Sequence, residues 1–355
     1  MFSFFSSKGP FKAKISPDNT TFVVETGDNL LKAALSNGLA WPHNCRVGSC
    51  GECRCRLVSG KIKPLSDFSY VLTGEEMDAG MILACQTSLR GDVEIEIAMD
   101  LPAQPLSKPK TVDGVIANTK SLTHDILEVT IRLDEAMPTY LAGQYAELTI
   151  PGLNIKPRSY SFARAPEKEA TNHVTFYIRH VPGGEFTSWL HSSDRQGQRV
   201  SVTGPYGSFW LRDSTAPVLC IAGGSGMAPI KALLEQMLSQ GMNRQVTYLF
   251  GARTQEDLYC LEEMNQIRAL GNGFFNFVPV LSQEPEDSDW EGLRGRCIDA
   301  LPTYNLTLKD TQAYLCGPPG MIDGAIETLT QNGMSTENIF YDKFLDASTM
   351  KGGRA

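Results

Sequence analysis

Four of the nine cysteines stand at a spacing that strongly restricts the local fold around them. In NCRVGSCGECRC, Cys45 is followed after four residues by Cys50 and after two more by Cys53, and Cys85 comes later in LACQT. A plant-type [2Fe–2S] centre uses this spacing, with four thiolates holding two irons. Such a loop wraps an anionic centre, so backbone N–H groups must face the sulfurs, and Gly48 and Gly51 permit that backbone. Arg46 and Ser49 could add charge or donors that raise the potential. A structural zinc site also accepts four cysteines, but usually from paired Cys-x2-Cys knuckles, and only one such pair can be drawn here. Cys55 alternates with Cys53 into a strand and reads as an ordinary small residue rather than a ligand. Cys220, Cys260, Cys297 and Cys316 are scattered later, and an odd total argues against a disulfide framework.

The length of 355 residues suggests two or three domains, each with a core of its own. The balance is acidic, with 40 Asp and Glu against 32 Lys and Arg and a formal net charge of -8. Nucleic-acid binding is excluded as a class, because it needs clustered excess Lys and Arg. A partner docked by charge would need a basic patch. No run of roughly eighteen apolar residues exists, so no membrane-spanning helix is expected. The start, MFSFFSSKGPF, lacks the basic leader, apolar core and cleavage site of a signal peptide, which predicts a cytoplasmic protein with reduced thiols.

Three segments follow one another. The first, 1–100, holds strand-like FKAKI and TFVVET, a helix from Asn29 to Ser36 capped by Asp28 and stopped by Gly38, the cysteine loop, and the alternating DVEIEIAM. Pro102, Pro105 and Pro109 mark a linker at 101–110. The second, 111–213, consists of short alternating runs (DILEVTIRL, YAELTI, HVTFYIRHV, QRVSVTGPYG), the pattern of a small antiparallel barrel. The third, 214–355, alternates strand-like PVLCIAGG, QVTYLFGA, FFNFVPVL and QAYLCGPPGM with helical runs such as PIKALLEQMLSQ. That alternation predicts βαβ units around a parallel sheet.

Each of the last two segments carries a candidate site. In PRSYSFA, Arg158, Ser159, Tyr160 and Ser161 offer what a flavin needs: an arginine for its phosphates, an aromatic beside its ring and a hydroxyl near its reactive nitrogen. Downstream, VPGGEFTSWL sets glycines before a helix start, with Thr187 as the expected cap. In CIAGGSGMAPI, Gly223, Gly224 and Gly226 let the backbone approach a diphosphate and Ser225 adds a hydroxyl. This is not the Rossmann glycine fingerprint. YLCGPPGM puts Cys316 at a strand end before a rigid turn, where it could face a nicotinamide ring. Phe344, in YDKFLDA, could stack on the flavin face. After VTYLFGA, Arg253 stands alone beside Glu256 and Asp257, too little positive charge for an adenosine 2′-phosphate, so NADH is expected. Candidate cofactor contacts extend to Tyr177, Gly317, Pro318 and Met321. The five histidines form no ligand spacing.

These motifs, in this order, resemble the three-domain NADH reductase components of bacterial multicomponent monooxygenases over nearly the whole chain. The carrying residues are WPHNCRVGSCGECRCRLVSG, RSYSFA, HVPGGEFTSWL, GPYGSF, IAGGSGMAPIK, GARTQEDLYCLEE, YLCGPPGMID and YDKF, most similar to the xylene monooxygenase type, with phenol hydroxylase and toluene monooxygenase reductases as cousins. The resemblance implies a β-grasp plant-type ferredoxin domain, an antiparallel FAD-binding barrel and a parallel-sheet NAD-binding domain of the ferredoxin-reductase type. It implies Cys45, Cys50, Cys53 and Cys85 on the cluster, and Arg158, Tyr160, Ser161, Arg179, Gly184 and Thr187 at FAD. It places Gly223, Gly224, Ser225, Gly226 and Cys316 at the nicotinamide dinucleotide, with Cys316, Ser161 and Phe344 closest to the chemistry. Ser225 stands where many relatives have Thr, which keeps the hydroxyl.

The implied activity is hydride transfer from NADH to FAD, then single electrons to the cluster and on to a separate oxygenase acting in aromatic or hydrocarbon hydroxylation. A reductase for another acceptor, such as a deoxysugar dehydrase, shares every motif. A redox-sensing module without turnover is disfavoured by the Cys316 and Phe344 region, which only hydride transfer requires. Phe2, Phe4, Phe5 and Phe11 crowd the start and suggest contact with a membrane or a membrane-bound partner; a plain terminus is the simpler reading.

Overall fold

The computed structural model describes residues 9–97, 107–167, 172–304 and 306–344. Phe2, Phe4 and Phe5, and residues 101–106 of the expected linker, lie outside them. The chain divides into two compact units. One runs up to Pro109 and includes the segment Tyr206–Ser208; the other holds Lys110–Pro205 and the chain from Phe209 onward.

The first unit is a five-stranded sheet. Its elements are β1 (Phe11–Ser16), β2 (Thr20–Val24), α1 (Leu30–Ser36), β3 (Arg54–Pro64), α2 (Gly74–Asp78), β4 (Met81–Leu83) and β5 (Thr87–Glu96). The strand order is β2-β1-β5-β3-β4, with β1 parallel to β5 and the other ladders antiparallel. Strand alternation turns Ala13, Ile15 and Ile95 inward, where they meet Leu30, Leu31 and Ala34 of α1. Asn29, not Asp28, caps α1. Its side chain accepts from Lys32 N at 2.8 Å, while Asp28 pairs with Lys32 Nζ at 2.6 Å. Asn37 closes the helix and Gly38 follows at φ 78°, the left-handed turn a stop signal supplies.

The second unit joins two layers. β6 (Lys110–Ser121), β7 (Ile126–Leu133), β8 (Tyr145–Thr149), β9 (Arg158–Ser161), β10 (His173–Arg179), α3 (Glu185–His191) and β11 (Arg199–Tyr206) form the first. Its strand order is β10-β7-β6-β11-β8-β9, and a Phe162–Phe176 bridge brings the two ends together into a near-barrel. The second layer holds β12 (Val218–Gly223), α4 (Met227–Ser239), β13 (Val246–Ala252), α5 (Leu261–Leu270), β14 (Phe275–Leu281), β15 (Leu293–Arg294), β16 (Gln312–Gly317), α6 (Pro319–Gln331) and β17 (Ile339–Lys343). Every ladder here is parallel, in the order β15-β14-β13-β12-β16-β17. The order reverses between β12 and β16, and ligands bind at such a switch point, beyond the carboxyl ends of the strands. Ile126, Ala163 and Tyr177 of the barrel share one buried cluster with Met227, Tyr248, Cys260 and Cys316 of the α/β layer.

Two glycines after β12 serve different ends. A Cβ on Gly226 would stand 2.3 Å from the Cys316 carbonyl oxygen, so only glycine lets this turn close on β16. Gly224 has φ +54° and open space beside it, which leaves the turn accessible. Gly226→Ala is expected to lower the unfolding free energy by about 2 kcal/mol through overpacking, measured as a reduced urea midpoint of the second unit.

Candidate functional site

The cysteine loop Cys45–Cys53 and the short turn at Cys85 bring four thiols together. Ser49 N and Cys50 N each donate to Cys45 Sγ at 3.3 Å, Cys45 N to Cys50 Sγ at 3.5 Å, and Cys85 N to Cys53 Sγ at 3.4 Å. Gln86 Nε2 lies 3.9 Å from Cys85 Sγ, a donor that sequence reading missed. Arg46, Gly48 and Gly51 have φ of 57°, 83° and 80°, the left-handed turns that aim the N–H groups inward. A Cβ on Gly48 would stand 2.5 Å from Gln86 Cγ, so glycine is required there for space as well. A hydrogen bond from the Cys50 thiol, working against burial, lowers the Cys45 thiol from its ordinary value. Cys53 lowers Cys85 in the same way. Four sulfurs within an N–H cradle suit an anionic iron–sulfur centre. Cys55 is buried in β3, and burial alone raises its thiol.

In the second unit a cavity of about 460 Å³ opens at the switch point. The glycine turn contributes Gly223 and Gly224, and the start of α6 contributes Pro318 and Met321. Tyr259 Oη donates to Gly224 O at 2.8 Å and so fixes that peptide plane. Barrel residues Asp125 and Arg179 and the post-β13 residue Arg253 complete this wall. Arg179 Nε donates to Asp125 Oδ2 at 2.9 Å; Arg253 Nη2 reaches the same oxygen at 3.3 Å and Asp257 Oδ1 at 2.9 Å. Burial opposes ionisation of Asp125, but Arg179 and Thr123 outweigh it and hold the carboxyl below its ordinary range. Arg253 is therefore a paired cation. Cys297 and Arg296, which sequence reading did not single out, also line the cavity.

The expected flavin residues divide. Arg158, Ser159, Tyr160 and Ser161 lie on β9, and Tyr160 approaches Phe186 of α3, with ring centroids 5.5 Å apart. The RSYS strand and the glycine turn are thus neighbours. Gly184 itself caps α3 without a side-chain bond. Thr187 is not the cap: it sits inside the first turn, where its Oγ1 accepts from Val181 N at 3.1 Å and bonds back to Val181 O. Arg179 lines the cavity, where it bonds to Asp125. Tyr177 is buried, with its hydroxyl 3.4 Å from Cys260 Sγ. Ser161 Oγ donates to Asp342 Oδ2 at 3.3 Å, and Asp342 is the β17 partner of Cys316. Cys316 is wholly buried; burial, then the Asp342 carboxylate, pushes its thiol up, so it is present as a neutral thiol. Phe344 N donates to Gly317 O at 2.9 Å, which tethers the YDKF segment to the end of β16. Ser161, Cys316 and Phe344 are thereby gathered around Asp342, which had not been singled out. The side chain of Ser225 remains partly exposed on the glycine turn, next to buried Gly226.

A cysteine-loop sheet, a near-barrel and a switch-point parallel sheet on one chain define an electron-transfer oxidoreductase. Comparison with known proteins agrees segment by segment. Residues 13–90 match the 2Fe-2S iron-sulfur cluster binding domain, 113–210 the oxidoreductase FAD-binding domain and 220–327 the oxidoreductase NAD-binding domain. The chain is 39% identical over 323 residues to the xylene/toluene monooxygenase electron transfer component XylA of Pseudomonas putida, covering 91% of this chain and 90% of that protein. It is 33% identical over 345 residues to the phenol 2-monooxygenase reductase component DmpP of Pseudomonas sp. strain CF600, covering 96% of each. The crystal structure of the Amycolatopsis cytochrome P450 reductase GcoB superposes with a TM-score of 0.84 at 30% identity, covering 95% of this chain and 99% of that one. The chain belongs to the family of reductase, or electron-transfer, components of multicomponent oxygenases, with [2Fe–2S], FAD-binding and NAD-binding domains.

Serine at Cys45, Cys50, Cys53 or Cys85 is expected to remove the visible absorption of the iron–sulfur centre. Cys55→Ser is expected to retain about two irons per chain, checked by iron and acid-labile sulfide assay.

Proposed function

We propose that this chain oxidises NADH and delivers the electrons through FAD and its [2Fe–2S] centre to a separate oxygenase component. The reading is carried by one observation: Ser161, Cys316, Asp342 and Phe344 meet at the switch point, next to the glycine-turn cavity. When bound, the flavin accepts a two-electron hydride and gives the electrons up singly, which a one-electron cluster requires.

The residues then take these roles. Cys45, Cys50, Cys53 and Cys85 hold the cluster. Arg158, Ser159 and Tyr160, with the Gly184 turn steadied by Thr187, hold FAD. Tyr177 supports this site from the shared core through Cys260. Gly223, Gly224, Ser225 and Gly226 receive the dinucleotide diphosphate, and Gly317, Pro318 and Met321 form the opposite lip. Asp342 keeps the Ser161 hydroxyl proton fixed in one direction. Cys316, wholly buried at the end of β16, keeps the ground behind the Gly226 turn uncharged.

NADH is favoured over NADPH because a 2′-phosphate would find Arg253 already paired with Asp125 and Asp257. The segment after β14 adds Glu284, Glu286, Asp287 and Asp289 at the same end of the sheet. Ferricyanide or cytochrome c reduction is expected with NADH, with kcat/KM at least about tenfold lower for NADPH. Absence of NADH-dependent reduction in the flavin-loaded protein would overturn the reading. No helix among the described residues is long and apolar enough to cross a membrane. A membrane-held oxygenase partner is supported by the Phe2, Phe4 and Phe5 tail of the sequence. Deleting residues 2–10 should then slow hydroxylation with the native partner while leaving ferricyanide reduction intact. Unchanged hydroxylation would remove the membrane partner from the proposal.

A further inference from the structure

Lys231, in the second turn of α4, has a side chain only 1% exposed. A lysine is almost never buried so completely unless it is paired. Its partner is Glu235, one turn further along the same helix, to which Lys231 Nζ donates. Neither residue lines the switch-point cavity. Stability does not account for the pair, because apolar side chains of similar size usually replace a buried ion pair without loss. What the pair holds is therefore the informative part.

Both side chains are turned to the barrel. Ala165 N donates to Glu235 Oε2 at 2.9 Å, Arg164 Nη1 lies 3.5 Å from Glu235 Oε1, and Lys231 Nζ donates to Ala163 O at 3.5 Å. One turn of α4 thus engages three consecutive barrel residues. Those residues continue directly from β9, which ends at Ser161. They are fixed on the barrel side as well. Ala163 N donates to Thr175 O at 2.8 Å, and Tyr140 stacks on Phe162 with ring centroids 3.9 Å apart while its hydroxyl donates to Arg164 O at 3.3 Å.

The other end of α4 emerges from the glycine turn. Lys231 is five residues beyond Gly226, about 8 Å along a stiff helix. A short bracket therefore runs from Ser161 through Ala163–Ala165 to α4 and the turn. The Ser161–Asp342 bond ties the layers through β17, a different element. We infer that Lys231 and Glu235 are positioning residues, which fix α4 to the chain after RSYSF and so set the separation between Ser161, at the flavin, and the glycine turn, at the dinucleotide. This rests on the NADH reading above. NADH leaves as NAD+ after giving two electrons and one proton together to the flavin, and such a transfer is steep in the separation of the reacting atoms.

The test compares two double variants of the flavin- and cluster-loaded protein. Lys231→Met with Glu235→Leu removes the charges and the acceptor for Ala165 N. Lys231→Met with Glu235→Gln removes the charges but keeps an amide oxygen for it. Flavin bleaching is followed in single turnover, and a slower rate with NADH deuterated at the transferred position shows that hydride transfer itself is being read. The Met/Leu variant should bleach about tenfold more slowly at saturating NADH, with the dissociation constant for NADH and the thermal midpoint unchanged. Its Ala165 amide should exchange hydrogen faster than in the wild type. The Met/Gln variant should recover most of the rate and of the amide protection. A folded Met/Leu variant that bleaches at the wild-type rate overturns the inference, and so does a Met/Gln variant that keeps the Ala165 protection yet is slowed as much as Met/Leu. A wild type whose flavin NADH does not bleach overturns the parent reading, and this one with it.

Discussion

The close approach of the Gly226 backbone to the Cys316 carbonyl organises the second unit. Parallel strands β12 and β16 are neighbours, and the chain leaves them in opposite directions, toward α4 and α6. The crevice between the two exits exists only if the turn after β12 can press against the end of β16, and a single methyl group at Gly226 would block that at 2.3 Å. From that contact follow the cavity, the seat of Cys316 and the tether of Phe344 to Gly317. The barrel is joined to the same place by Ser161 on Asp342 and by the shared core around Tyr177 and Cys260.

The two units solve different electrostatic problems. Around the cysteine loop, left-handed residues turn N–H dipoles toward the sulfurs, which suits negative charge, and Arg46 is the one basic residue between Cys45 and Cys53. At the switch-point cavity the cations Arg179 and Arg253 are side chains paired with Asp125 and Asp257. One acidic chain therefore presents an environment for a buried anionic cluster and another for an exchangeable anionic dinucleotide.

Much of the architecture was legible in the sequence. The alternating runs of the barrel and the strand–helix alternation after residue 214 follow directly from periodicities of two and 3.6 residues. The cysteine spacing identified its loop because ligand spacing is a local property. Caps were less legible. Asp28 was expected as the cap, but Asn29 takes that role and Asp28 pairs with Lys32 Nζ. Thr187 was misread as a cap because a glycine, Gly184, can take that position with no side chain at all. The resemblance implied Arg179, four residues before Gly183, at FAD; that its guanidinium bonds to Asp125, 54 residues away, was not legible.

The sequence by itself determined the three kinds of domain and their order, and it grouped Cys45, Cys50 and Cys53 in one loop, because each is written in residues close together along the chain. Tertiary structure alone decided which distant groups meet. Ser161 reaches Asp342 across 181 residues, and Arg253 reaches Asp125 across 128. These pairings depend on how barrel and parallel sheet pack through one shared core, and side-chain packing of that kind leaves no periodic trace in a single sequence.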